Sequence, residues 1–157
     1  MGPPGPVGLQ GPPGPSSPLV VSRGEEGPTL IEDYGGSTGK RYRLATVSVT
    51  VAAASQVFLN AEVMVDEIDY GGCGFQARGS LRLLDRQSGE ESIISLPVVP
   101  KPNGNGVRAQ ITHLAVFAAS PGAHSYSMDV AVSGCTVGFQ QWDFLNTILV
   151  ATVHSEA

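Results

Sequence analysis

The sequence predicts an all-β protein: an antiparallel, jelly-roll-like sandwich head, preceded by a short collagen triple helix and assembled as a homotrimer. Three features support this prediction: glycine at every third position near the N-terminus, apolar residues that alternate with polar ones through most of the chain, and a final segment without a polar face. They divide the chain into a collagen-like stalk at residues 1–15, a linker or attachment segment at residues 16–39, and a head at residues 40–157.

The glycine spacing predicts the stalk. After Met1 the chain reads Gly-Pro-Pro, Gly-Pro-Val, Gly-Leu-Gln, Gly-Pro-Pro and Gly-Pro-Ser. Three polyproline-II chains can wind together only when every third residue lacks a side chain, because that residue faces the common axis. A disordered leader rich in proline and glycine is the alternative, but such leaders lack a strict period. The predicted axial residues are Gly2, Gly5, Gly8, Gly11 and Gly14.

Five triplets are too few to hold three chains together. They would form a rod of only about 45 Å at about 3.1 Å rise per residue, and ordering each backbone residue costs roughly 1–2 kcal/mol. We therefore expect the head to bring the three chains together. Residues 40–157 suffice for one ordinary domain.

The apolar residues of the head recur with period two, which is typical of strands with one buried face. The alternating segments are residues 45–51, 57–66, 75–83, 107–111 and 124–132. Turn sequences rich in glycine, asparagine and proline separate them. After His113 the apolar residues change parity, to Leu114 and Val116, which predicts a β-bulge. About eight strands in roughly 115 residues suit a jelly-roll sandwich.

The last segment, residues 144–153, has no polar face. In an antiparallel domain this pattern indicates a strand buried twice, once by its own core and once by a neighbour. The simplest neighbour is another subunit. The predicted trimer interface therefore consists of Leu145, Ile148, Leu149, Val150 and Val153.

Composition limits the partners. The 41% of hydrophobic residues is typical of a globular protein. The net charge of −5 argues against binding to the phosphate backbone of nucleic acid. No apolar run is long enough to insert in a bilayer, and no secretory signal precedes the repeat. Cys73 and Cys135 could pair or stay as buried thiols; free thiols are favoured because disulfide scaffolds are rich in cysteine.

A collagen stalk that leads into a trimeric β-sandwich resembles the collagen-stalked members of the tumour-necrosis-factor and complement superfamily, and the heads of bacterial and bacteriophage collagen-like fibres. Residues 120–128, Ser-Pro-Gly-Ala-His-Ser-Tyr-Ser-Met, and the apolar strand that follows are similar to the last two strands of the phage and bacterial heads. The glycine-aromatic motif of complement-type heads is matched poorly, by Gly39-Lys40-Arg41-Tyr42 at a different place in the chain. The similarity therefore favours the viral and bacterial group.

This resemblance implies a homotrimeric fibre, spike or decoration protein on a virion surface. Its partners would be two further copies of itself and a capsid or tail protein that holds the N-terminal segment, while the head is exposed for host attachment. The alternative is a soluble recognition module of lectin or complement type, extracellular or on a bacterial surface, whose stalk multiplies its valency. No nucleophile motif accompanies any histidine, so neither enzymatic activity nor a cofactor is expected.

Two small clusters are candidate ligand sites. Asp66, Glu67 and Asp69 could offer oxygen ligands to calcium, although a solvated acidic turn is favoured because the EF-hand pattern is absent. Trp142 could stack on a cell-surface glycan with help from Gln140 and Gln141, although a lone tryptophan in a small sandwich more often lies in the core or a subunit interface.

Overall fold

The computed structural model describes residues 20–26, 29–34, 40–69, 78–96, 107–133 and 139–155, with side chains described at 41–66, 79–96, 108–131 and 142–154. The predicted stalk and its axial glycines lie outside the described residues. Every element in the described part is a strand: β1 (Val20–Glu26), β2 (Thr29–Tyr34), β3 (Lys40–Val51), β4 (Ser55–Asp69), β5 (Arg78–Asp85), β6 (Glu91–Ser95), β7 (Val107–Ala119), β8 (Gly122–Ser133) and β9 (Phe139–Ser155).

The strands form two antiparallel sheets. One sheet has the order β1-β9-β4-β7, with β2 also paired to β9, and the other has the order β3-β8-β5-β6. All pairings are antiparallel. Consecutive strands mostly alternate between the sheets, so the two sheets pack as a sandwich. The predicted all-β, jelly-roll-like class is confirmed.

The core lies between the sheets and follows the predicted alternation. The odd-numbered residues of β4 from Val57 to Val65 are buried, whereas the even-numbered ones face outward. Among the largest fully buried side chains are Tyr126, Phe117 and Phe144. Burial of a large apolar side chain contributes roughly 1.5–3 kcal/mol, so this layer supplies most of the favourable free energy of folding.

The sandwich begins earlier than the composition suggests. Strands β1 and β2 fall within residues 16–39, the segment predicted to be a linker, and both pair with β9. Strand β9 is 17 residues long, and without them its edge would expose unpaired amide and carbonyl groups. Glycine and acidic residues interrupt β1, and acidic residues interrupt β2. Neither segment therefore shows clear alternation, and this hides both strands in the sequence.

The predicted bulge after His113 is wrong. Strand β7 keeps its register with β4 from Val107 to Ala119, and Leu114 and Val116 simply face outward. The register shifts lie elsewhere: between Arg43 and Ala45 in β3, and in β4 opposite β9.

The irregularity in β9 changes which of its residues face the core. Asn146 adopts a φ of 51°, a left-handed conformation that asparagine tolerates better than most residues. Before it, Trp142 and Phe144 are buried; after it, Leu149 and Ala151 are buried. The buried residues are thus even-numbered before Asn146 and odd-numbered after it. This change partly explains why the segment shows no polar face in the sequence.

Candidate functional site

The outer face of the five-stranded sheet exposes an apolar surface. Leu114 and Val116 on β7 are 70% and 51% exposed, and Phe58 on β4 is 41% exposed. Phe58 lies directly opposite Val116, and the half-buried Ile148 and Val150 of β9 continue the surface on the other side of β4. We call these five residues the apolar face. Exposed apolar side chains grouped on one sheet face are typical of an interaction site.

The apolar face lies toward one end of the sheet. Strand β1 begins opposite Val153 and β9 ends opposite Ser55. The same end holds the connections from β3 to β4, from β5 to β6 and from β7 to β8, because these strands end or begin there. We call it the tight-turn end. The first residue of β1, Val20, therefore lies at this end. At the opposite end the outer face becomes polar, with Gln110 and the ion pair of Arg108 and Asp66.

The structure separates the five residues predicted to form the trimer interface. Leu149 and Val153 are fully buried inside the single chain, so they cannot reach another subunit. Leu145, Ile148 and Val150 are half-buried and share the outward face.

The sequence analysis missed Phe58, Leu114 and Val116 as candidates for this surface. The change of parity after His113 was the available signal. This change of parity predicted a bulge. In the structure it instead marks apolar residues on the outward face of a regular strand.

Trp142 is a core residue. It is 4% exposed and lies parallel to Phe144, with ring centroids 6.3 Å apart and an interplanar angle of 8°. A glycan platform requires an exposed indole face, so this hypothesis for Trp142 is corrected. The side chains of Gln140 and Gln141 lie outside the described residues.

The acidic cluster is described only at Asp66. Its Oδ2 accepts a hydrogen bond from Arg108 Nη2 on the neighbouring strand, so it contributes to pairing between β4 and β7. The side chains of Glu67 and Asp69 are not among those described, and neither are Cys73 and Cys135. Across the described residues, no group of three or more His, Cys, Asp and Glu side chains is placed to hold a metal ion. No helix in this part of the chain is long and apolar enough to cross a membrane.

A cleft of about 530 Å³ lies at the tight-turn end, lined partly by Asp85, Ser88 and His124. The Asp85 carboxylate accepts hydrogen bonds from Gln87 N and Ser88 Oγ, both at 2.9 Å. His124 Nε2 lies 2.7 Å from the carbonyl oxygen of Ser120. Burial, with a further contribution from Asp85, raises the pKa of Tyr126 to about 12. These contacts mainly stabilise the adjoining turns.

The outer face of the other sheet is charged. Glu91 on the edge strand β6 accepts hydrogen bonds from Arg41 Nη1 at 2.8 Å and from Arg82 Nη1 at 2.7 Å. Arg43 on β3 lies 3.7 Å from the carboxylate of Asp129 on β8. The hydrogen bond from Arg41 is the main reason that the pKa of Glu91 lies below its usual value of 4.5. The network ties a five-residue edge strand to the sheet.

Replacing Glu91 by glutamine should reduce stability at neutral pH by about 0.5–1 kcal/mol, as expected for a partly exposed ion-pair network. Because the folded pKa is lowered, the carboxylate stabilises the fold above its unfolded pKa, and this stabilisation disappears as pH falls through the folded pKa. Urea unfolding at pH 7 and at decreasing acidic pH values measures both effects. The difference between wild type and Glu91→Gln should shrink on acidification; a difference that does not change with pH would contradict the assignment.

No protein-family model matches the chain, and no curated protein sequence matches it. Solved structures with a similar fold include infectious bursal disease virus, Gt strain, with a TM-score of 0.57 and 13% identity over 95% of this chain and 37% of that chain. The Gx strain gives a TM-score of 0.55 and 12% identity over 90% of this chain and 33% of that chain. Eiger TNF from S. frugiperda gives a TM-score of 0.46 and 6% identity over 90% of this chain and 96% of that chain.

The chain thus spans about a third of the length of the two viral chains. At such low identity, the likeness to the viral structures establishes the fold alone. The chain is an antiparallel β-sandwich of jelly-roll type.

Proposed function

We propose that this protein is a homotrimeric structural protein of a virion: a fibre, spike or decoration protein with a short stalk. The main evidence is the apolar face. A single chain would leave three large apolar side chains exposed on one sheet, beside the 13-residue edge strand β7. Exposed apolar edges promote aggregation unless a partner covers them. A further copy of the same chain would cover this surface.

The collagen repeat supports three as the number of copies, since the triple helix requires three chains. The position of β1 supports an assembly that brings the stalks together. Residues 1–19 join β1 at the tight-turn end, and the apolar face lies toward the same end. Copies that meet through the apolar face would therefore bring their stalk segments close together where the repeat approaches the head.

The virion context is supported by the resemblance to phage and bacterial fibre heads and by a fold shared with two viral structures. In this proposal the N-terminal segment is the attachment end and is held by a capsid or tail protein. The sequence analysis assigned residues 16–39 to a linker or attachment segment, but residues 20–26 and 29–34 of that segment pair with β9 within the sheet. The attachment segment is therefore residues 1–19, and the head faces outward.

The mass of the full chain in native mass spectrometry tests the assembly. We expect a single species of three chains, each of 16.3 kDa. Immunogold labelling of purified virions of the source virus tests the location, with label expected on the particle surface. A monomeric mass would overturn the trimer, and unlabelled virions would overturn the structural role.

A further inference from the structure

The polar side chain of Asn60 lies inside the apolar face. Asn60 lies on β4 directly opposite Leu114 of β7 and Val150 of β9, and Phe58 precedes it on the same side of the strand. The residues that flank Asn60 on the two neighbouring strands are thus both apolar. Any partner that covers the apolar face must also cover Asn60.

The side-chain oxygen of Asn60 is unpaired within the described residues. This atom, Oδ1, is also enclosed there. Leaving such a group unpaired is unfavourable, and buried polar side-chain atoms are usually paired. A leucine at this position would extend the apolar face and remove the unpaired group. The asparagine therefore lowers the stability of the single chain, which suggests that it serves the assembly.

We infer that Asn60 determines the number and register of the assembled copies, through a hydrogen bond between its amide and a polar group of a second copy. This inference rests on the proposed homotrimer. Apolar burial is not directional, so a largely apolar sheet face alone would allow several ways of docking. An amide that is paired in only one of them penalises the others.

The geometry of asparagine permits this role. Rotation about its last side-chain torsion is broad, so the amide can turn toward a partner without a change in the backbone. A single asparagine in an otherwise apolar seam sets the oligomeric state of coiled coils in the same way, with some loss of stability.

Replacing Asn60 by leucine in the full chain tests the inference. We expect the variant to fold and to melt at the same temperature as wild type or higher, but to give a mixture of oligomers in native mass spectrometry in place of one trimer. Asn60→Ala removes the amide without adding bulk and should give the same mixture, so it decides the question if the leucine variant does not fold. Gln56→Leu is the matched control, because Gln56 is exposed on the same face of β4 but lies opposite Ala118 and His154; it should stay trimeric.

Exclusively trimeric Asn60→Leu and Asn60→Ala proteins would overturn the role of Asn60 and leave the trimer intact. The same spread of oligomers in Gln56→Leu would also overturn it, because the effect would then follow from added apolar area. A monomeric wild type would instead overturn the proposed function, so the two failures are distinguishable.

Discussion

Replacing Leu114 by aspartate should convert the trimer into a folded monomer. Leu114 is 70% exposed in the single chain, so a charge there is tolerated by the isolated sandwich. In the proposed trimer the same charge would be buried without a partner, which costs several kcal/mol for each subunit. Light scattering after size-exclusion chromatography gives the mass, and far-ultraviolet circular dichroism reports whether the β-sandwich remains.

Two matched variants make this result specific. Leu149→Asp places the charge in the core, where Leu149 is fully buried, and should unfold the chain. Thr50→Asp places it on an exposed position of β3, in the other sheet, and should leave the trimer unchanged. If Leu114→Asp remains trimeric, the apolar face is not the contact between copies. If Thr50→Asp also dissociates the trimer, the effect follows from charge in general.

Period-two alternation was enough to predict the strands whose two faces differ in polarity. In β4 the buried Val57 and Leu59 alternate with more accessible residues, and in β3 Val47 and Val49 do the same. This pattern is local, because it depends only on which side of one strand meets the core. The fold class follows from several such strands.

Pairing between distant segments could not be predicted in this way. Strand β1 pairs with β9 across most of the chain, with Val20 opposite Val153, and nothing local to residues 20–26 specifies that partner. The same limit applies to the position of the bulge. A change in apolar parity can mean an inserted residue or an apolar residue facing outward, and only the register separates them: Asn146 marks the first case and Leu114 the second.

Trp142 illustrates a different limit. Its amide-rich neighbours suggested a glycan surface, but whether the indole is exposed depends on the phase of β9 before its irregularity. The apolar face became recognisable only when β4, β7 and β9 were seen side by side. The change of parity in β7 signals outward-facing apolar residues in that strand, but no local pattern shows that β4 and β9 lie beside it.

Deleting residues 1–15 should leave a trimeric head that no longer stays with the virion. The first strand that the structure describes, β1, begins at Val20, so the deletion removes none of the described strands. In the proposed trimer, three weak stalk contacts would act together, so their joint loss should reduce the amount that co-purifies with particles by about tenfold or more. Quantitative immunoblotting of gradient-purified particles measures the retained protein, and native mass spectrometry verifies that the truncated protein is still a trimer.

Gly8→Ala tests whether residues 1–15 form a triple helix. A methyl group at the crowded axis should weaken the collagen signal in circular dichroism and leave the β signal of the head unchanged, because only the axial position is affected. An unchanged collagen signal would mean that residues 1–15 are not a triple helix. Retention of the truncated trimer on particles would show instead that the head is the anchor. In that arrangement the tight-turn end and the stalk would point away from the particle.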